Sequence, residues 1–216
     1  SGPVSLVSDG LPDGSMPLGT VLTIGDRVLD PEEVYFPSKD FIDLRAKPAG
    51  SSEDVTFSLE TDEGCRVTKI FTFKAGTYDV GMEVRVGGDS SLGTKETLSI
   101  TWATRVDPKK AESRFGVYSP IHLIPEKYGR GAYKYKKDSY GKLKKEGSLE
   151  HQEVSWSGFA DSYFLRVIIP EAVDHVKSSA SLEGDVILQR ITLPSREILP
   201  GGENRHIFTL YLGPKE

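Results

Sequence analysis

The sequence predicts an all-β protein: two large, mostly antiparallel sheets packed face to face, with little helix. Three observations carry this. Apolar side chains recur at every second position over several stretches. Short segments rich in Gly, Asp, Ser and Thr join those stretches. Helical spacing of apolar residues is nearly absent.

Along the chain, residues 1–20 are rich in Gly, Pro and Ser and read as a loosely held N-terminal segment. Residues 21–216 read as a single domain. A strand is expected near 20–29. Between Asp54 and Glu60, Val55, Phe57 and Leu59 share one side. Thr61-Asp62-Glu63-Gly64 and Lys74-Ala75-Gly76-Thr77 are turns. From Tyr78, the apolar set Val80, Met82, Val84 and Val86 faces away from Asp79, Glu83 and Arg85. After the longer turn Gly87–Gly93, Leu98, Ile100 and Trp102 oppose Thr97, Ser99 and Thr101. Residues 54–106 are therefore expected to form a four-strand meander. Further strands are expected near 115–124, 153–169, 185–193 and 205–213. Pro170–Lys177 is the one candidate for a helical turn or two, because Pro suits a first helical position.

Composition narrows the function classes. The net charge is −5 over 216 residues, which disfavours general nucleic-acid binding. Charge is uneven: residues 26–63 carry eleven acids against four bases, and residues 127–145 carry eight bases against Asp138 alone. The single cysteine, Cys65, allows neither an intrachain disulfide nor a multi-cysteine zinc site and reads as structural. His122, His151, His175 and His206 show no metal-ligand spacing, so no metal, cofactor or catalytic residue is expected. No apolar run reaches the roughly 20 residues needed to cross a bilayer. The chain opens Ser1-Gly2-Pro3 without Met, and the expectation is a segment of a longer protein.

Two stretches stand out. In 127–145, four tyrosines interleave with Lys134, Lys136, Lys137, Lys142, Lys144 and Lys145. This reads as an exposed loop, with lipid-headgroup contact by those lysines as its functional alternative. In Glu153–Pro170, Trp156, Phe159, Tyr163 and Phe164 could stack on a sugar. Strand geometry, however, puts large residues on both faces. Tyr163, Leu165 and Val167 share one, and Phe164, Arg166 and Ile168 the other, which favours a core strand with Trp156 and Phe164 buried.

The same stretch carries a resemblance. Trp156, Gly158, Asp161, Tyr163, Phe164 and Leu165, running on to Ile169-Pro170, resemble the W-x-G-x-x-D-x-Y-F-L…I-P segment in the periplasmic domain of the membrane protein insertase YidC family. Val67–Tyr78 resembles that domain's K-x-Y-T-F-x-x-G-x-Y hairpin, with Phe71 replacing its Tyr. Leu199-Pro200-Gly201, followed by Tyr211, Gly213, Pro214 and Lys215, is similar to its closing L-x-P-G…Y-x-G-P-K. The three pieces come in family order. Residues 1–53 match only in kind, and 127–145 match no motif.

The resemblance implies a β-supersandwich like that of galactose mutarotases. It also implies a non-enzymatic domain on the periplasmic face of the bacterial inner membrane, anchored by transmembrane helices outside this sequence. Sec translocon accessory subunits, nascent membrane proteins and the adjacent membrane surface are the implied partners. The alternative is a carbohydrate-binding or mutarotase-like protein on the same fold. A mutarotase needs a His and a Glu converging on one sugar. Here Asn204-Arg205-His206 is the nearest approach to that family's signature, and His206 reads as a surface residue.

Overall fold

The computed structural model describes residues 18–29, 36–39, 42–61, 64–88, 94–111, 119–128, 132–160 and 162–215, with backbone only at 36, 94, 110–111, 119, 122–128 and 132–135. In chain order the elements are β1 (Leu18–Ile24), β2 (Arg27–Leu29), β3 (Phe36–Pro37), β4 (Ser52–Glu60), β5 (Cys65–Lys74), β6 (Asp79–Gly88), β7 (Thr94–Arg105) and α1 (Pro108–Ala111). They continue with β8 (Ser119–Tyr128), β9 (Ala132–Lys137), α2 (Tyr140–Glu146), β10 (Ser148–His151), β11 (Trp156–Ala160) and β12 (Phe164–Pro170). The last four are β13 (Lys177–Glu183), β14 (Val186–Thr192), β15 (Arg196–Ile198) and β16 (Glu203–Pro214). β1 begins inside the segment expected to be loosely held; residues 1–17 lie outside the described residues.

Two sheets result. One has seven strands in the order β10-β13-β14-β7-β1-β2, with β15 also on β7. The other has nine, ordered β3-β4-β5-β6-β16-β12-β11-β8-β9. Every described pairing is antiparallel. The all-β class and the two-sheet architecture predicted from alternation are both present.

The core lies between the sheets. Val80, Met82, Val84 and Val86 of β6, with Phe208 and Leu210 of β16, pack against Leu98, Ile100 and Trp102 of β7 and Ile191 of β14. Each such side chain contributes about 1.5–3 kcal/mol relative to exposure. A second cluster joins Phe159 to Tyr140, Leu143, Leu149, Ala180 and Ile187 and seats α2 on the sandwich.

Three expectations are corrected. The 54–106 meander is a three-strand meander, β4-β5-β6, after which the chain crosses to the other sheet to form β7. Alternation is the same whichever sheet a strand joins, so the pattern could not reveal the crossing. Residues 170–177 are not helical: Pro170 ends β12, Ala172 and His175 have φ of 50° and 58°, and Lys177 opens β13. The longer helix, α2, lies instead at the end of the basic stretch, over Tyr140–Glu146. Ser139 caps it by accepting from the Lys142 N–H, and Gly147, at φ 77°, closes it with its N–H on the Leu143 carbonyl.

Gly158 of β11 is tied to its place by backbone proximity. A Cβ there would collide with the Arg166 carbonyl oxygen and sit 2.7 Å from Val167 Cα, both on the paired strand β12. Gly141, within α2, has nothing within 4 Å of a built Cβ. Gly158→Ala should therefore destabilise by about 3 kcal/mol or more. Gly141→Ala should stabilise by about 0.5–1 kcal/mol. Urea unfolding of both variants checks the contrast, and equal effects would contradict the close-approach account.

Candidate functional site

Polar groups in the interior are engaged with one another. His206 on β16 and Glu96 on β7 come from opposite sheets, and His206 Nε2 lies 2.6 Å from Glu96 Oε1 with both side chains 1% exposed. The surface reading of His206 is thus overturned. The alternation of β16 points it inward beside Phe208 and Leu210, a placement that no local feature of a polar residue announces. Glu96 Oε2 and His206 Nδ1 have no hydrogen-bond partner among the described residues. A His and a Glu are the pair a mutarotase uses, but here they close on each other in the core.

On the same inner face, Lys69 of β5 and His206 both pair with Val84 of β6, so the three lie side by side. Lys69 is buried, and desolvation lowers its pKa from 10.5 to about 8. Nearer the other end of the sandwich, Gln189 donates to Ser157 Oγ at 2.6 Å, and Ser157 Oγ is 2.6 Å from Ser178 Oγ, again bridging the sheets.

A third cluster sits where β9 meets α2. His151 Nε2 lies 2.6 Å from Asp138 Oδ2, both nearly fully buried. Lys136 Nζ is 3.3 Å from His151 Nδ1, and Lys142 Nζ is 4.0 Å from Asp138 Oδ1. Since an ammonium group only donates, Nδ1 accepts from Lys136, and the imidazole N–H is left to point at Asp138. The cluster fastens α2 to β10 and involves Lys136 in packing rather than presenting it to solvent.

The basic stretch is consequently not an open loop. Lys137, Lys142, Lys144 and Lys145 are exposed around α2, whose Tyr140 and Leu143 are buried. The Lys134 side chain lies outside the described residues, as does Asp161. Ser139 and Gly147 were the readable signals for this helix.

The aromatic stretch divides. Trp156 is half-buried and packs with Leu165, Ile169 and Tyr211 over Ile121, Ala160 and Val167, on the face of the nine-stranded sheet turned from the core. Phe164 is 50% exposed and Tyr163 77%, so the expectation of a buried Phe164 fails. The alternation was right, since Ile168 enters the core and Val167 does not. Phe164, however, opens β12 at the rim, where a strand's first residue has no neighbour above it.

The closing motif explains itself at this rim. Phe164 and Leu165 pair with Pro214 and Gly213, and the Lys215 N–H donates to the Tyr163 carbonyl at 2.7 Å. Tyr211 curls over Gly213, where a Cβ would meet its ring at 2.6 Å, and its hydroxyl donates to the Pro214 carbonyl at 2.8 Å. Tyr78, 57% exposed, stands edge-on to Tyr211 with centroids 6.4 Å apart.

Among the described residues no group of His, Cys, Asp and Glu could hold a metal ion, and no helix is long and apolar enough to cross a membrane.

Two expected outcomes follow from the interior. Glu96→Leu or His206→Phe alone should cost about 2–5 kcal/mol by stranding the partner. The double variant should recover most of that loss, and additive losses in the double-mutant cycle would refute the pairing. Between pH 8 and 10.5 the unfolded chain holds more protons at Lys69 than the folded one, so stability should rise with pH by up to about 3 kcal/mol across that window. Lys69→Met should flatten this rise; an unchanged slope in urea titrations would contradict the burial account.

The model of the YidC periplasmic domain family matches residues 1–216. Relatives named membrane protein insertase YidC include that of Syntrophus aciditrophicus, 26% identical over 201 residues, covering 93% of this chain and 35% of the relative. That of Geobacter sulfurreducens is 25% identical over 221 residues, covering 99% and 38%. The chain thus spans about a third of the length of these relatives. Among solved structures, a galactose mutarotase-like protein from Lactobacillus casei superposes with a TM-score of 0.61 at 10% identity, over 90% of this chain and 84% of that one. The GH36 α-galactosidase AgaA from Geobacillus stearothermophilus gives 0.56 at 10% identity, over 85% of this chain and 28% of that one. At such identities the likeness is one of fold, and it matches the β-supersandwich expected from the sequence.

Proposed function

The chain belongs to the YidC periplasmic domain family, and from that premise we propose that it is the non-catalytic periplasmic domain of a YidC-type insertase, with an accessory, partner-docking role in the insertion and folding of inner-membrane proteins. The observation that carries this reading is the family match over residues 1–216, with relatives named as membrane protein insertases. The domain sits on the periplasmic face of the inner membrane. Its partners are Sec translocon accessory subunits and nascent membrane proteins.

The carbohydrate reading draws only on fold. Against it stands the chemistry of the interior. The one buried His–Glu pair among the described residues is spent on a mutual hydrogen bond with both side chains 1% exposed, so this pair cannot reach a sugar.

The test is capture of named partners. The tagged chain, exported to the periplasm, should enrich Sec accessory subunits on immunoblots over an unrelated periplasmic β-protein. Equal recovery by the control would sink the docking role. Heat on titration with galactose, together with that failure, would move the carbohydrate reading ahead.

A further inference from the structure

The strand registers bring the exposed aromatic residues and the exposed lysines of α2 to one end of the sandwich. Tyr211 pairs with Asp79, beside Tyr78, and Pro214 pairs with Phe164. Ala160 pairs with Ser119, Ile121 pairs with Lys137, and the Asp138 N–H donates to the Pro120 carbonyl. The strand ends from β6 to β9 therefore form one rim, five inter-strand steps or roughly 24 Å wide. α2 continues it, since the Leu182 N–H near the end of β13 donates to the Gly147 carbonyl.

One side of this rim presents Tyr78, Tyr163 and Phe164 at 57%, 77% and 50% exposure. The other presents Lys137, Lys142, Lys144 and Lys145, with Glu146 and Glu183 as exposed carboxylates beside them, while Asp138 is buried against His151. Asp79 lies beside Tyr78 and Lys215 beside Tyr163, both exposed. The opposite end shows no comparable pairing of rings with lysines among the described residues; Leu199 is its large exposed apolar side chain.

We propose that this end docks on an anionic bilayer surface, the Tyr78, Tyr163 and Phe164 rings entering the headgroup layer and the α2-side lysines meeting lipid phosphates. Aromatic side chains favour the membrane–water interface because ring and hydroxyl are each matched there. Lysines beside them gain from the negative surface potential, which acts only within about a Debye length. Charge complementarity selects the occupant, since a neutral or basic polypeptide would use the rings and gain nothing from the lysines. The inference deepens the insertase reading by naming a further partner. Its test uses pure lipid, so it can fail while Sec docking stands, and the reverse.

The 216-residue chain is floated with phosphatidylglycerol and with phosphatidylcholine vesicles at low ionic strength. It should float with the first, not with the second, and be released by salt. Tyr163→Ser/Phe164→Ser, and separately Lys137→Gln/Lys142→Gln/Lys144→Gln/Lys145→Gln, should each weaken binding by at least about tenfold. Leu199→Ser and Arg66→Gln, at the opposite end, should leave it unchanged. Circular dichroism checks that each variant is folded. As an independent readout, Tyr163→Trp should be quenched by brominated phosphatidylglycerol more strongly than Leu199→Trp. Failure of the unmutated chain to float with phosphatidylglycerol, or equal quenching at the two positions, overturns the proposal. Flotation that depends on the lysines alone overturns the entry of the rings.

Discussion

The structure depends on the contact between the inner faces of β6 and β7, strands adjacent in sequence but placed in opposite sheets. The chain leaves the nine-stranded sheet after Gly88 and lays β7 into the centre of the seven-stranded one. The valine row of β6 then meets Leu98, Ile100 and Trp102 across one layer of side chains. A pleat repeats every two residues, so a slip of one register position would turn Val80–Val86 outward and expose the whole row. The pairs flanking this contact, β6 with β16 and β7 with β14, hold the long registers that prevent such a slip.

Polar residues inside the sandwich obey the same constraint. His206, Glu96, Ser157, Ser178 and Gln189 stand at inward positions of their strands and bond across the gap between sheets. A mispaired strand would leave each of them buried without its partner, at a cost of about 1–3 kcal/mol for each stranded group. These bonds therefore act mainly against wrong registers. The same scaffold in sugar enzymes is a matter of fold alone, and here the buried His206 and Glu96 are committed to each other.

What the sequence made legible follows from periodicity and from short motifs. Alternation placed Val80–Val86 and Leu98–Trp102 on one face each, and ordered motifs led to the family. Sheet membership of β7 was not legible, because a strand's pattern records which faces are buried and not which neighbours pair with it. His206 was misread because a polar residue at an inward position looks local until its partner, 110 residues away, is known. Phe164 was misread because rim and centre of a strand share one alternation. The basic stretch hid a helix because only Tyr140 and Leu143 face the core, too few to make a period.

An acidic protein that docks on an acidic surface raises an apparent contradiction, with a net charge of −5 against lipid phosphates. Screening resolves it. At physiological ionic strength the Debye length is about 8 Å. β16, with 12 residues, runs roughly 40 Å from one end of the sandwich to the other. Glu60 and Glu203, at the end away from Phe164, are thus several screening lengths from any surface that the aromatic rim touches. What the bilayer senses is the local sum, in which Lys137, Lys142, Lys144, Lys145 and Lys215 outweigh Asp79, Glu146 and Glu183. Turned the other way, the domain would present Glu60 and Glu203 with Arg66 and Arg205 among them, a mixed surface without the ring-and-lysine set. The basic half of the uneven charge thus gains a place in the fold: the α2 lysines stand at the end that carries the exposed rings, and rings and lysines together orient the body on the membrane.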